Sequence, residues 1–199
     1  ESGKTTFTRQ LKIHYLGGFD ETERRTFVAT IRGNLIETMQ NLLVYLERHQ
    51  TSVDDGLVDT ASEITDLQAF NCEFNEDIVD QLKELWEDPN IIEAFKHRDE
   101  TTIPDHMDYF FNKIDQLVDD SYIPSDEDIL RARIRTIGVD AVTFDIDGAR
   151  IRIYDVGGQK SERSKWSTVE SSVESVIFCI SFSEFDKPMF EEPSTMRII

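Results

Sequence analysis

Apolar residues recur at Phe27, Ile31, Leu35, Met39, Leu42, Leu43 and Leu46, mostly three or four positions apart. That spacing lays one stripe along a helix and predicts an element from about Glu21 to Gln50, with Gly33 a local cost rather than a break. Ahead of it, Phe7, Leu11 and Ile13 predict a shorter helix from Thr5 to about Leu16, stopped by Gly17-Gly18. The polar interval from Thr51 to about Glu63 predicts a loop and the start of another helix. Short helical patterns follow at Ile78, Leu82, Leu85 and Trp86, at Ile91, Ile92 and Phe95, and at Tyr109, Phe110, Ile114 and Leu117. Asp88-Pro89 and Ile103-Pro104 separate them.

After Ile123-Pro124 the period changes to two. Val142, Phe144 and Ile146 alternate with polar neighbours, as do Ile151 and Ile153, and Asp147-Gly148 between them signals a hairpin turn. The apolar run Val176–Phe182, interrupted only by Ser181, predicts a strand buried on both faces. The outer segments therefore read as α/β and the middle as all-α. Charge divides the chain at nearly the same places. Asp20 to Asp128 holds 28 acidic and 8 basic residues, whereas the remainder holds 12 and 13, within a total net charge of -19. A near-neutral unit interrupted by an acidic one implies two bodies with different surfaces. Acidity on this scale, with a pI near 4.5, argues against nucleic acid or an anionic membrane as a partner of the whole surface.

At 199 residues and 39% hydrophobic content the chain can bury one large core or two small ones. No uninterrupted apolar run is longer than Val176–Ile180, which falls short of the roughly 20 residues a membrane helix needs. Cys72 and Cys179 form no C-x-x-C pair and the histidines are scattered, so ordinary reduced thiols and no zinc site are expected.

Candidate chemistry lies in the outer segments. Glu1-Ser2-Gly3-Lys4-Thr5-Thr6 reads as the second half of a phosphate loop, whose first glycine would stand three residues before Glu1. In such a loop backbone N–H groups turn inward, Lys4 reaches the outer phosphates, and the Thr5 hydroxyl can ligate Mg2+. The following helix adds its positive N-terminal end. Asp155-Val156-Gly157-Gly158-Gln159 directly follows a predicted strand. It is either a plain Gly-Gly turn or a metal-linked carboxylate, a close backbone approach to a terminal phosphate and a carboxamide that orients water. Arg131, Arg133 and Arg135 alternate before Thr136, a second candidate Mg2+ hydroxyl. Periodicity does not choose among these arginines, and a solvated basic stretch is the plain alternative.

The runs ESGKTT, LRARIRTIGV and DVGGQKSERSKW, together with LWEDPNIIEAF, SYIPSDEDILR and VIFCISFSEFD, resemble the alpha subunit of heterotrimeric G proteins over nearly the whole chain. The resemblance implies a Ras-like α/β P-loop GTPase domain, partial here at 1–18 and 129–199, interrupted by an all-helical domain at 19–128. It implies a switch that hydrolyses GTP to GDP, with Glu1, Ser2, Gly3, Lys4, Thr5 and Thr6 around the phosphates and Thr5 and Thr136 on Mg2+. Arg133 would be the catalytic arginine, because it stands three residues before that threonine. Leu130 and Arg131 would lie beside the nucleotide, as would Asp105 and His106. Asp155 would act on Mg2+ through water, Gly158 would sense the γ-phosphate, and Gln159 would place the attacking water. Lys160, Ser161, Glu162, Arg163, Lys165 and Trp166 would form a switch helix that meets a beta-gamma dimer, effectors and RGS-type activating proteins. A G protein-coupled receptor, and a place on the cytoplasmic face of the plasma membrane through an N-terminal segment and the beta-gamma partner, follow from the same resemblance. Ile137 and Lys160 replace the family's usual threonine and arginine, and Ser167–Glu174 is unlike its usual run. The guanine-reading N-K-x-D and T-C-A-T elements, the lipid sites and the receptor-binding tail are expected in a longer protein.

Overall fold

The computed structural model describes residues 2–101, 103–104, 106–185, 189, 192 and 194–196, and only the backbone of Asp99 and Ser183. Glu1 and Asp105 lie outside the described residues. Contacts divide the chain into two units, Glu1–Asp20 with Ile134–Ile199, and Glu21–Arg133.

In the first unit, helix α1 (Lys4–Leu16) ends at Gly17, whose left-handed φ of 75° lets its N–H return to the Lys12 carbonyl. Strands β1 (Val139–Ile146) and β2 (Ala149–Val156) pair antiparallel, with Val142 opposite Ile153 and Phe144 opposite Ile151. Asp147 and Gly148 both take positive φ, 50° and 83°, which a tight two-residue turn between right-twisted strands requires. Period two places Phe144, Ile153 and Asp155 on one face, and α1 packs against both strands. Phe144 is fully buried there and its ring meets Tyr15 edge-on at 6.4 Å.

The run Val176–Phe182 forms no strand. Residues 175–181 have no regular structure, and Val176 and Phe178 are 81% and 78% exposed. An apolar run becomes a central strand only when neighbouring strands satisfy its backbone and helices cover its faces. Among the described residues the sheet is the β1–β2 hairpin alone, so this segment has neither. The architecture is thus mixed helix with a small antiparallel sheet.

The second unit is helical, and α2 (Glu21–Arg48) is its axis. Around it lie α3 (Val58–Asp66), α4 (Glu76–Glu87), α5 (Pro89–Lys96), α6 (Met107–Phe111), α7 (Ile114–Leu117) and α8 (Asp126–Arg131). The predicted stripe is buried at Ile31, Leu35, Met39, Leu42 and Leu46, but Gly33, Asn34, Ile36 and Thr38 are buried as well. The middle of α2 is covered on several sides because α3, α4, α5, α6 and α8 all pack on it. Gly33 fits for the same reason: a Cβ there would come within 2.3 Å of the Phe70 ring. Leu82, Leu85, Ile91, Met107, Phe110 and Leu117 complete the core, and Trp86 stacks on Phe111 at 3.9 Å.

Local caps start these short helices. The Asn75 side chain accepts from the Ile78 N–H, and Asp88 accepts from Asn90 and Ile91 with Pro89 at the first turn. Ser125 and Asp128 form a reciprocal capping box on α8. Asp128, with a side chain 1% exposed, also accepts from Lys113 Nζ at 2.7 Å and Tyr109 Oη at 2.8 Å. Those bonds explain why the units divide after Arg133 rather than at the expected 128/129. The drop in charge and the Ile123-Pro124 break mark an earlier point, but α8 is fastened to the helical core through Asp128. At the other end the division falls after Asp20 rather than Gly18.

Burial alone would raise the Asp128 pKa, but the bonds from Lys113, the Ser125 N–H and Tyr109 outweigh it and hold the carboxyl at about 2 against an ordinary 3.8. A carboxyl depressed in the folded state stabilises above its unfolded pKa, and that stability fades as pH falls from about 4 toward 2. Asp128→Asn should cost roughly 2 kcal/mol at neutral pH and flatten this acid limb. Urea unfolding followed by Trp86 fluorescence in a Trp166→Phe background reads both effects.

Candidate functional site

The expected site residues fall into two groups, one in each unit. In the first unit, Gly3 precedes α1 with a φ of 81°, a left-handed conformation that glycine adopts without strain. Lys4 and Thr5 open the helix, so its first-turn N–H groups and positive end lie directly after Gly3. Ser2 is half-buried and Thr6 exposed.

Thr5 is the centre of this group. Its hydroxyl donates to Asp155 Oδ2 at 2.6 Å and lies 2.6 Å from the Thr136 hydroxyl. Because Thr5 has one proton and gives it to the carboxylate, Thr136 is the donor in the second bond. Three oxygens from α1, the loop before β1 and the end of β2 therefore converge. They are hard donors of the kind Mg2+ takes, and a Mg2+ site commonly adds waters and substrate phosphates to one or two carboxylates. Adjacent ligands of an octahedral ion sit about 2.9 Å apart, close to the spacing of the two hydroxyls. Among the described residues no group of three or more His, Cys, Asp or Glu could hold a metal, and Asp155 is the one carboxylate among these three oxygens.

Lys4 lies over Gly158, where an added Cβ would stand 2.8 Å from Nζ. Gly157 is hemmed in harder, with the Thr136 carbonyl 2.8 Å and Glu162 Cβ 2.7 Å from where a Cβ would be. The Gly157 N–H donates to the Gly138 carbonyl at 3.2 Å, and Trp166 Nε1 donates to the Gly157 carbonyl at 2.9 Å. Gln159 follows and caps the 3-10 helix Lys160–Trp166 through its backbone alone.

Two residues carry roles that sequence reasoning did not assign. Glu162, expected on a partner-binding face, turns inward with its side chain 12% exposed. Its Oε2 accepts from Lys165 Nζ at 2.7 Å and the Gly138 N–H at 2.6 Å, and these bonds hold its carboxyl below the usual range. Ser161, Arg163 and Trp166 are exposed, and Lys160 pairs with Glu192. Arg9, one turn beyond Thr5 on α1, is 8% exposed. Burial pushes its pKa down and the negative field of Asp155 pulls it back, so its charge is balanced against that carboxylate. The i, i+4 relation of Thr5 and Arg9 was the available signal.

The second group belongs to the helical unit. His106 Nε2 donates to the Arg131 carbonyl at 2.6 Å. The Arg131 guanidinium bonds Glu127 and lies over the Tyr109 ring, 4.6 Å from its centroid. Leu130 is half-buried beside it, and the Arg133 N–H donates to Asn34 Oδ1 at 2.9 Å. The structure thus brings His106, Leu130, Arg131 and Arg133 together around the end of α8, and Lys4, Thr5, Thr136, Asp155 and Gly158 together in the other unit.

A family model described as "G-protein alpha subunit" matches residues 1–199. The guanine nucleotide-binding protein subunit alpha-1 of Trichomonas vaginalis is 62% identical over 199 residues, which is 100% of this chain and 50% of that protein. The guanine nucleotide-binding protein alpha-2 subunit of Dictyostelium discoideum is 39% identical over 208 residues, covering 100% of this chain and 58% of its own. A guanine nucleotide-binding protein subunit alpha of Emericella nidulans is 31% identical over 201 residues, with 57% of its length covered. The chain therefore spans 50–58% of the length of these relatives.

The two glycines should differ in how hard they are packed. Gly157→Ala drives a Cβ against backbone and should cost roughly 1–3 kcal/mol in thermal unfolding. Gly158→Ala meets only the flexible tip of Lys4, so unfolding should stay within about 0.5 kcal/mol.

Proposed function

The chain belongs to the G-protein alpha subunit family, and on that premise we propose that it serves a guanine-nucleotide switch that binds GTP with Mg2+ and hydrolyses it to GDP and phosphate. The observation that carries the proposal is the convergence of Thr5, Thr136 and Asp155 beside Lys4 and Gly158. Phosphoryl transfer to water asks for positioning and charge stabilisation, and each of these groups answers one part of that demand.

In this reading Glu1 to Thr6 wrap the phosphates, with Lys4 reaching the outer ones. The Thr5 and Thr136 hydroxyls would hold Mg2+, with the Asp155 carboxylate supporting it through water. When bound, Mg2+ neutralises the phosphate oxygens on which charge builds. The Gly158 N–H contacts the γ-phosphate, and Gln159 orients the attacking water. Arg133 places its guanidinium on the transferring phosphoryl group, while Leu130, Arg131, Asp105 and His106 attend the rest of the nucleotide. The fold that fits these roles is a Ras-like GTPase domain, partial in this chain, with the helical unit as an inserted domain.

The Gly138 carbonyl, accepting from the Gly157 N–H, and the Gly138 N–H, donating to Glu162, join the segment of Thr136 to the segment of Gln159. Loss of the γ-phosphate would therefore disturb both together and alter the surface that Lys160, Ser161, Arg163, Lys165 and Trp166 offer. A beta-gamma dimer, effectors and RGS-type proteins would read that surface, and a G protein-coupled receptor would drive exchange. The cytoplasmic face of the plasma membrane is the place where this signalling would occur.

G-protein alpha subunits are themselves a standing example of an arginine supplied within the chain, and the general figure for such arginines is roughly 10³–10⁵ in rate. Single-turnover hydrolysis of GTP with Mg2+ on the full-length protein should therefore fall steeply in Arg133→Cys and Gln159→Leu, with GTP binding retained. GTP should outcompete ATP. Turnover indifferent to both substitutions would show that these residues do not perform the chemistry.

A further inference from the structure

Asn34 sits in the middle of α2 and is 3% exposed. Asparagine is a poor residue for a helix interior, and a buried carboxamide is costly unless it is hydrogen-bonded. Its Oδ1 accepts the Arg133 N–H at 2.9 Å, across 99 residues of sequence. The backbone leading to that point is held as well. The Arg131 carbonyl accepts from His106, the Ala132 N–H donates to the Asp128 carbonyl at 2.8 Å, and Ala132 itself is 4% exposed. Asn34 is held in turn, because Thr38 Oγ1 donates to its carbonyl at 2.6 Å and both residues are buried.

The sequence places an arginine with a proposed chemical role at the end of this clamped stretch. A long side chain delivers its charge to a defined point only if its root is fixed, and small misplacements of a catalytic group are expensive. We propose that Asn34 is a positioning residue for catalysis: its Oδ1 fixes the Arg133 backbone, so that the guanidinium starts from one place and acts on the transferring phosphoryl group. This rests on the reading of Arg133 given above. The residue type fits the task. The carboxamide offers a short neutral acceptor, whereas an apolar side chain would leave the N–H without its partner.

The test is single-turnover GTP hydrolysis on the full-length protein, with GTP affinity and thermal unfolding measured on the same samples. Asn34→Leu keeps the branched shape with somewhat bulkier ends and removes the acceptor, Asn34→Ala removes both shape and acceptor, and Asn34→Asp keeps the acceptor. Loss of the acceptor should slow hydrolysis roughly 10- to 100-fold while GTP affinity changes less than about threefold, and Asn34→Asp should restore much of the rate. In an Arg133→Cys background, Asn34→Leu should add less than about a twofold loss, because the group it positions is gone. An equal loss in both backgrounds, or an unchanged rate in Asn34→Leu beside a slow Arg133→Cys, overturns the inference. If Arg133→Cys hydrolyses at the wild-type rate, the reading of Arg133 fails first and the positioning role falls with it. Should Asn34→Ala fold poorly, Asn34→Leu and Asn34→Asp still decide the matter.

Discussion

The first unit depends on one buried carboxylate. Asp155 ends β2 on the face that α1 covers, and at 6% exposure it needs partners in the protein. Thr5 supplies the hydrogen bond, and the charge of Arg9 on the same helix supplies the balance. The demand of this one group therefore sets the seat of α1 on the hairpin. It also brings Lys4 to Gly158 and Thr136 to Thr5, since all are close neighbours in sequence or space of the residues so fixed. Structure and chemistry use the same oxygens: what satisfies Asp155 in the protein is what a divalent cation and a phosphate would engage.

The helical unit is organised by a different rule. Its long helix packs apolar residues on most of its middle, and its polar side chains fasten loop backbone. Arg24 donates to the Pro124 carbonyl, Arg32 to the Leu117 carbonyl, and Gln40 to the carbonyls of Ile64 and Leu67, while Asn34 accepts from Arg133. Backbone groups in loops between short helices have few ladder partners, and each left unmet would carry a desolvation cost. A single rigid element that reaches several of these loops gives the unit fixed ends. One of those ends is the segment that leads out of α8 to Arg133.

Much of this was legible from spacing. The three-and-four rhythm of α2, the Gly17-Gly18 stop and the Asp147-Gly148 turn are local signals, and each appears where its chemistry requires. The motif residues Thr5, Thr136 and Asp155 were also named from sequence, and the structure brings Thr5 within hydrogen-bond distance of both of the others. Non-local facts were not legible. Spacing says which face of a helix is buried but not that Asn34 would meet a backbone N–H 99 residues away, or that Glu162 would turn toward Gly138 instead of solvent. The run Val176–Phe182 failed for the opposite reason. Its composition is right for a central strand, but strand formation belongs to the neighbours that pair with it as much as to the segment itself.

The most direct test is the Mg2+ dependence of GTP release from the full-length protein, compared with Thr136→Ala and Asp155→Asn. If the three oxygens form a cation-dependent phosphate site, chelating Mg2+ should speed release from the wild type at least about tenfold, and both substitutions should raise the Mg2+ concentration needed to slow it. Release that ignores Mg2+ in the wild type, or a Mg2+ requirement unmoved by either substitution, would contradict the assignment of these residues to the ion.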